Sequence, residues 1–371
     1  MKRAFGDGVE LYFPPGEYLL DPITLHGTGW SLVGDDATLI VPGTVASEYL
    51  VLGGGRWRMD GFTVDLTADG AAPVTVMRGT DWQFRNVRFV GQMDDPQPRD
   101  TSSLLYPAVA HEDATGLVEN VSAMDGSANP GESSNRGLTW FGANNKGKMT
   151  WRGCRFSGWA NNTLYTEESN GPVVIEDCLF ENTNVGVRIG GDTTVRNCTW
   201  RQTGPVPIQR WTGDASGRGI WINGNQYWSG PIEIEGCEFL MTGPDATGAI
   251  YASHRVDDLT VRNTYARQHN RESAVELPGT GTTTIRSLTV TGDTPRPAID
   301  LVDRDGSTIA DVCVRKPGKG IRIAHSANCR IERSTVDVDG TPFVFVGSDV
   351  ATRGISRSGT CPTPDRTLSP R

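Results

Sequence analysis

The chain has 371 residues, and its 44 Asp and Glu outweigh its 35 Lys and Arg to give a formal net charge of −9, which argues against a nucleic-acid partner, since that would need a basic stripe. No run of about 18 apolar residues occurs, so no membrane-spanning helix is expected, and Met1-Lys2-Arg3 leads straight into Ala4-Phe5-Gly6 without an apolar h-region, so no signal peptide is expected. The charged residues lean on Asp and avoid Lys, with 30 Arg to 5 Lys and 28 Asp to 16 Glu, as in proteins of salt-loving sources.

In chain order, residues 10–42 carry short alternating runs: Glu10-Leu11-Tyr12-Phe13-Pro14-Pro15-Gly16-Glu17-Tyr18-Leu19-Leu20, Ile23-Thr24-Leu25, and Trp30 to Leu39. From residue 43 onward one phrase recurs, clearest in Thr150-Trp151-Arg152-Gly153-Cys154-Arg155-Phe156, Val174 to Phe180 and Thr194 to Trp200. Its Cys column runs through Phe62, Val87, Val121, Cys154, Cys178, Cys198, Cys237, Thr264, Leu288, Val312 and Ser334. The residue before each is Gly, Asn, Asp or Ser, with Arg333 as the exception. Gly, Asn and Asp tolerate a left-handed backbone, so the column predicts a repeated sharp corner between two short strands.

A second phrase (small, apolar, variable, apolar) interleaves with the first, as in Gly186-Val187-Arg188-Ile189, Gly219-Ile220-Trp221-Ile222 and Ala298-Ile299-Asp300-Leu301. Its period of two predicts a strand with one buried face. A basal period of roughly 20–25 residues without helical periodicity predicts a β-solenoid. The expected fold is therefore all-β, a single-stranded parallel β-helix of about a dozen coils spanning 1–346. Residues 1–42 form its opening coil and cap, and 347–371 form a C-terminal capping segment and loose tail. Three insertions, 90–108, 123–136 and 201–218, all leave from the cornered strand and return to the alternating strand. They should therefore crowd one edge of the solenoid and build a binding face.

Seven cysteines is an odd count. Cys154, Cys178, Cys198 and Cys237 share the inward column and read as small buried hydrophobes. Cys313 lies on an outward register and Cys361 in the tail, so these two are candidates for pairing or reactivity.

The segment Phe13-Pro14-Pro15-Gly16-Glu17-Tyr18-Leu19, followed by Gly34-Asp35-Asp36-Ala37-Thr38-Leu39, resembles the opening coil of the pectate-lyase-like superfamily of parallel β-helices. The later Asn-Cys-x-aromatic phrases resemble its asparagine-bearing corner. The resemblance implies a right-handed helix, in line with the crossover rule, and a place among polysaccharide lyases, polygalacturonases, epimerases and viral tailspikes. It does not fix the activity. The Asn-Thr-Asp, Gly-His-Gly and Arg-Ile-Lys runs of polygalacturonases are missing, and Gly320-Ile321-Arg322-Ile323 lacks the lysine.

The outward position of the alternating strand reads Tyr165, Arg188, Trp221, Tyr251, Glu276, Asp300, Arg322, Val344, with Glu167, Asn223 and Ser253 two residues further on. Stacked coils place such side chains about 4.8 Å apart. Aromatic rings beside polar groups suit a sugar, whose CH face and hydroxyl rim each find a partner. The expected ligand is a polysaccharide or surface glycan held by Tyr165, Glu167, Arg188, Trp221, Asn223, Tyr251, His254, Arg322 and Trp211, with Trp159 and Trp228 as further aromatic candidates. Trp57, Trp82, Trp151 and Trp200 read as packing. Glu276 and Asp300 on adjacent coils would make a carboxylate pair for glycosidic-bond cleavage, unless Arg322 and His254 neutralise them.

No metal site is expected. Asp303-x-Asp305-Gly306 has only the opening of a calcium loop and reads as a turn. The functional expectation is a tailspike- or adhesin-like carbohydrate-recognition protein, extracellular or on a virion surface. A polysaccharide-degrading hydrolase or lyase and a structural spacer are the alternatives. Homotrimerisation or attachment to a larger assembly is left open by the sequence.

Overall fold

The computed structural model describes residues 6–43, 48–93, 103–223, 230–253 and 255–362. Every pairing within its two large sheets is parallel: a 13-stranded sheet contributes one strand per coil, and a 23-stranded sheet contributes most of the cornered pairs. The chain is thus a parallel β-helix whose rungs number about the dozen expected.

The corner column explains how each coil turns. All eleven residues before the repeated column have positive φ, from 45° at Arg333 to 83° at Gly61. The residue after each, from Phe62 to Ser334, is no more than 3% exposed. The left-handed corner thus swings the next side chain into the core while its own side chain faces out. Side chains at or beside the corners then bind one another up the stack. Asn86 Nδ2 donates to Asp60 Oδ1 at 2.6 Å, and Asn120 Nδ2 to Asn86 Oδ1 at 2.7 Å. Arg333, the exception to the residue rule, offsets its strained φ with a bidentate pair to Asp311, the corner of the coil before it, at 2.8 and 2.9 Å.

The core runs as ladders of like residues. Trp30, Trp57 and Trp82 stack at 5.3 and 5.2 Å between ring centroids, while Phe180, Trp200 and Phe239 stack at 5.1 and 4.6 Å. Each such pair adds about 0.5–1.5 kcal/mol beyond its buried area. Cys154, Cys178, Cys198 and Cys237 form a buried thiol ladder beside them, and Cys329 is likewise buried and free. Burial pushes the Cys237 thiol up to about 12, so it behaves as a small apolar residue.

The repeat runs further than expected. Val350–Arg353 pairs with Cys329–Glu332, and Gly354, at φ 65°, makes one more corner before Ile355 packs on the core. Residues 347–356 therefore complete another turn of the cornered sheet over the end of the core. Beyond it Cys361 returns to Cys313, two coils back, in a disulfide with an S–S distance of 2.06 Å. Cys313 is 6% exposed, so the outward side chain is covered and the pairing alternative is the one realised.

Candidate functional site

The 13-stranded sheet places the stripe residue by residue. Strand register joins Trp140 to Tyr165, Tyr165 to Arg188, Arg188 to Trp221, Trp221 to Tyr251, Tyr251 to Glu276, Glu276 to Asp300, and Asp300 to Arg322. Two of the three insertions wall this stripe and are tied to each other. Ser133–Ser134 pairs with Ile208–Gln209, Arg210 Nη2 donates to the Ser133 carbonyl at 2.8 Å, and the Trp211 amide donates to Asn135 Oδ1 at 2.9 Å. Between wall and stripe lies an open groove of about 500 Å3, lined among others by Trp140, Asn162, Tyr165, Arg188, Trp211 and Trp221. Of the third insertion, residues 94–102 lie outside the described residues.

The groove floor is a network of rings and guanidinium groups. Glu167 is 2% exposed; its Oε2 accepts from Arg188 Nε at 2.5 Å and its Oε1 from the Tyr165 hydroxyl at 2.6 Å. Burial, and then the bond to Glu167, raises the Tyr165 phenol well above its ordinary range. The Arg188 guanidinium lies over the rings of Tyr165 at 4.9 Å and Trp221 at 4.2 Å, and that of Arg218 over Trp221 at 4.8 Å and Tyr251 at 5.0 Å. Trp221 Nε1 donates to Ser253 Oγ at 3.0 Å, which in turn donates to Asn223 Oδ1 at 2.9 Å.

This geometry reassigns several expected contacts. Glu167 and Asn223, at 2% and 5% exposed, orient Arg188, Tyr165 and Trp221 and do not line the groove themselves. The Trp221 ring is covered by two guanidinium groups, so it is a poor platform for a sugar. The open rings are Trp211, 75% exposed on the wall, and Trp140, 40% exposed and held edge-on by Tyr106 at 5.7 Å. Trp159 is corrected outright: it is 1% exposed, and its Nε1 donates to the Ala123 carbonyl at 3.2 Å. His254 and Trp228 lie outside the described residues.

Beyond Trp221 the stripe opens into a smaller pocket of about 190 Å3 lined by Arg218, Thr247, Gly248, Tyr251, Glu272 and Glu276. Burial, followed by the charges of Glu272 and Asp300, raises the Glu276 carboxyl above its ordinary value. Burial depresses the Arg218 guanidinium. Glu276 and Asp300 are register neighbours as expected, but Asp300 is 8% exposed and its Oδ1 accepts from Arg322 Nη1 at 2.8 Å. That ion pair commits both Asp300 and Arg322 to each other.

At Asp303-x-Asp305-Gly306 the chain makes a turn, and Asp305 Oδ1 accepts from the Ala327 amide at 2.7 Å. Between the two acids Arg304 is fully buried, donating to the Val256 carbonyl at 2.8 Å and to Thr283 Oγ1 at 2.6 Å. Burial lowers it to about 10. Among the described residues no cluster of three His, Cys, Asp or Glu is placed to hold a metal.

Residues 125–266 match the family model described as "Right handed beta helix region". Two structures of PfbA, a surface adhesin of Streptococcus pneumoniae, align over 91% and 94% of this chain and 83% and 91% of theirs. Both have a TM-score of 0.54, at 13% and 12% identity. The A-module of the mannuronan C-5 epimerase AlgE4 from Azotobacter vinelandii aligns over 94% of this chain and 91% of its own, with a TM-score of 0.49 and 10% identity. No curated protein sequence matches the chain. At such identities the likeness is one of fold, and the fold read from the corners and the opening coil holds: the chain is a right-handed parallel β-helix.

Proposed function

We propose that this β-helix is a carbohydrate-recognition protein of a cell or virion surface, holding a polysaccharide along the outward stripe of its 13-stranded sheet. The observation that carries this reading is the groove itself. Two mutually tied loops stand Trp211 over a floor of Tyr165, Arg188 and Trp221, with Trp140 at one end. Open indole faces take the CH face of a sugar, while the amides of Asn161, Asn162 and Gln209 and the Arg188 guanidinium line the same groove and offer hydrogen bonds to its hydroxyl rim. A surface location is supported by the Cys313–Cys361 disulfide, which belongs to oxidising surroundings, and by the fold likeness to a surface adhesin.

The test is affinity electrophoresis of the whole chain in polygalacturonate, alginate, hyaluronan, xylan and dextran. At least one polysaccharide should retard it, and Trp211→Ala or Trp140→Ala should each weaken that retention about tenfold, the size of a moderate aromatic anchor. If none of the five retards the protein, the groove is only surface and the spacer reading takes its place.

A further inference from the structure

The pocket beside the groove contains a pair of carboxyl groups whose surroundings differ from those of every other acid on the stripe. Glu167 is saturated by Arg188 and Tyr165, and Asp300 is held by Arg322. Glu276, half-buried on the pocket floor, has no hydrogen bond or ion pair to any described residue. Glu272 faces the same cavity from the connection that precedes the Glu276 strand. Its backbone is fixed at both ends. The Glu272 amide donates to Asn270 Oδ1 at 2.8 Å, and its carbonyl accepts from Thr294 Oγ1 at 2.9 Å. The carboxylate is therefore carried on an anchored main chain while its own oxygens have no hydrogen bond or ion pair to any described residue. Thr247, which also lines the cavity, has a buried Oγ1 without a hydrogen-bond partner among the described residues. Arg218 stands on the side toward the groove, its guanidinium lying over the rings of both Trp221 and Tyr251.

We propose that Glu276 and Glu272 are the acid and the base of a hydrolytic centre that cuts the glycosidic bond of a polysaccharide lying in the groove. This rests on the carbohydrate reading above. In the step, the Glu276 carboxylic acid gives its proton to the glycosidic oxygen as the bond from that oxygen to the anomeric carbon breaks. A water attacks the anomeric carbon, and Glu272 takes the proton that water releases. The products are one chain with a new reducing end and one with a new hydroxyl; the proton on Glu272 then returns through solvent to Glu276. The upward shift of the Glu276 carboxyl favours the protonated form that the acid role needs. The charged groups acting on it are Glu272 and Asp300, which raise it, and Arg296 and Arg218, which lower it. Asp300, the partner expected from sequence, is displaced from that role because its carboxylate is tied to Arg322.

The experiment follows retention and new reducing ends in parallel on the same five polysaccharides, using the whole chain and its Glu276→Gln, Glu272→Gln and Asp300→Asn variants, each checked for native circular dichroism. A retained polysaccharide should gain reducing ends without the ultraviolet absorbance of an unsaturated uronate. Glu276→Gln and Glu272→Gln should each slow that gain at least about 100-fold while retention changes less than about threefold. Four results would overturn the acid pair and leave the binding reading intact. They are retention without new ends, unsaturated products, a Glu272→Gln variant that cuts at the wild-type rate, and loss of cutting in Asp300→Asn but not in Glu272→Gln. Absence of retention on all five overturns both.

Discussion

The two outward faces of this solenoid have the same rung spacing and opposite chemistry. On the larger sheet one column reads Arg85, Glu119, Arg152, Glu176, Arg196, Glu235, Arg262, a strict alternation of sign across seven rungs. Its members bind their neighbours: Arg85 to Glu119 at 2.7 Å, Arg152 and Arg196 both to Glu176, and Arg262 to Glu235 at 2.8 Å. That face answers its own charges. On the 13-stranded sheet the column begins with rings; the Trp140 ring, touched edge-on by Tyr106, stays 40% exposed, and the Glu276 carboxyl has no hydrogen bond or ion pair to any described residue. A parallel β-helix puts like positions at contact distance on every face; what differs is whether the sequence completes each pair or leaves one member free for a ligand.

That contrast can be broken from either side. The largest effect should come from Glu176→Arg, which sets three guanidinium groups on successive rungs where the glutamate side chain is only 6% exposed. It should cost about 3 kcal/mol or more in denaturant unfolding while leaving polysaccharide retention per folded molecule unchanged. Trp211→Ala should do the reverse. Its affinity loss of about tenfold, near 1.4 kcal/mol, should come with a stability change under about 0.5 kcal/mol, because the ring is mostly in solvent.

The two glutamates should also show opposite pH slopes. Glu176, despite burial, is held below its ordinary range by Arg152 and Arg196. Its contribution is therefore present above the unfolded value and is lost as pH falls through the folded one. Glu276 is raised, so the folded state keeps its proton longer and stability declines as pH climbs from the unfolded value through the folded one. Thermal melts across pH 3–8 should lose the acid-side slope in Glu176→Gln and flatten the neutral-side decline in Glu276→Gln. A slope of the same sign in both would dissolve the contrast. Within the charge ladder the smallest change should be Arg262→Ala, an exposed rung, at under about 1 kcal/mol in the same unfolding assay.

Much of this architecture was legible because the backbone constrains residue type at a few places. Only a left-handed corner explains a column of Gly, Asn and Asp ahead of buried side chains, and Arg333 obeyed the geometry even where its type did not advertise it. The stripe was legible for the same kind of reason, since alternation fixes which side chains face out. Trp140 escaped because its inward neighbour in the register is Thr139, 1% exposed, whose hydroxyl accepts from the Tyr165 amide at 3.2 Å. With a polar residue in an apolar position, Gly137–Trp140 did not read as a strand of the set. Arg218 and Glu272 escaped because neither occupies the outward position that the alternation marks. Glu167 and Asn223 were expected on the alternating strands, but those strands end at Tyr165 and Ile222, and alternation cannot reach side chains that fold back beneath others past a strand end. The last coil was hidden by composition, since Ser, Pro and Arg masked the Gly354-Ile355 corner.

The thiol ladder bears on how such a chain reaches its final state. Five free cysteines lie inside the solenoid and two more must find each other across 48 residues. An unfolded chain exposed to oxidant would offer Cys313 one nearer partner than Cys361, namely Cys329, and four more distant ones. Were the coils from 154 to 237 to zip first, they would bury the four distant competitors before the C-terminal segment arrives, and order of assembly would do the work of partner selection. Refolding in reductant followed by air should therefore yield one disulfide, whereas refolding in oxidant should yield a mixture.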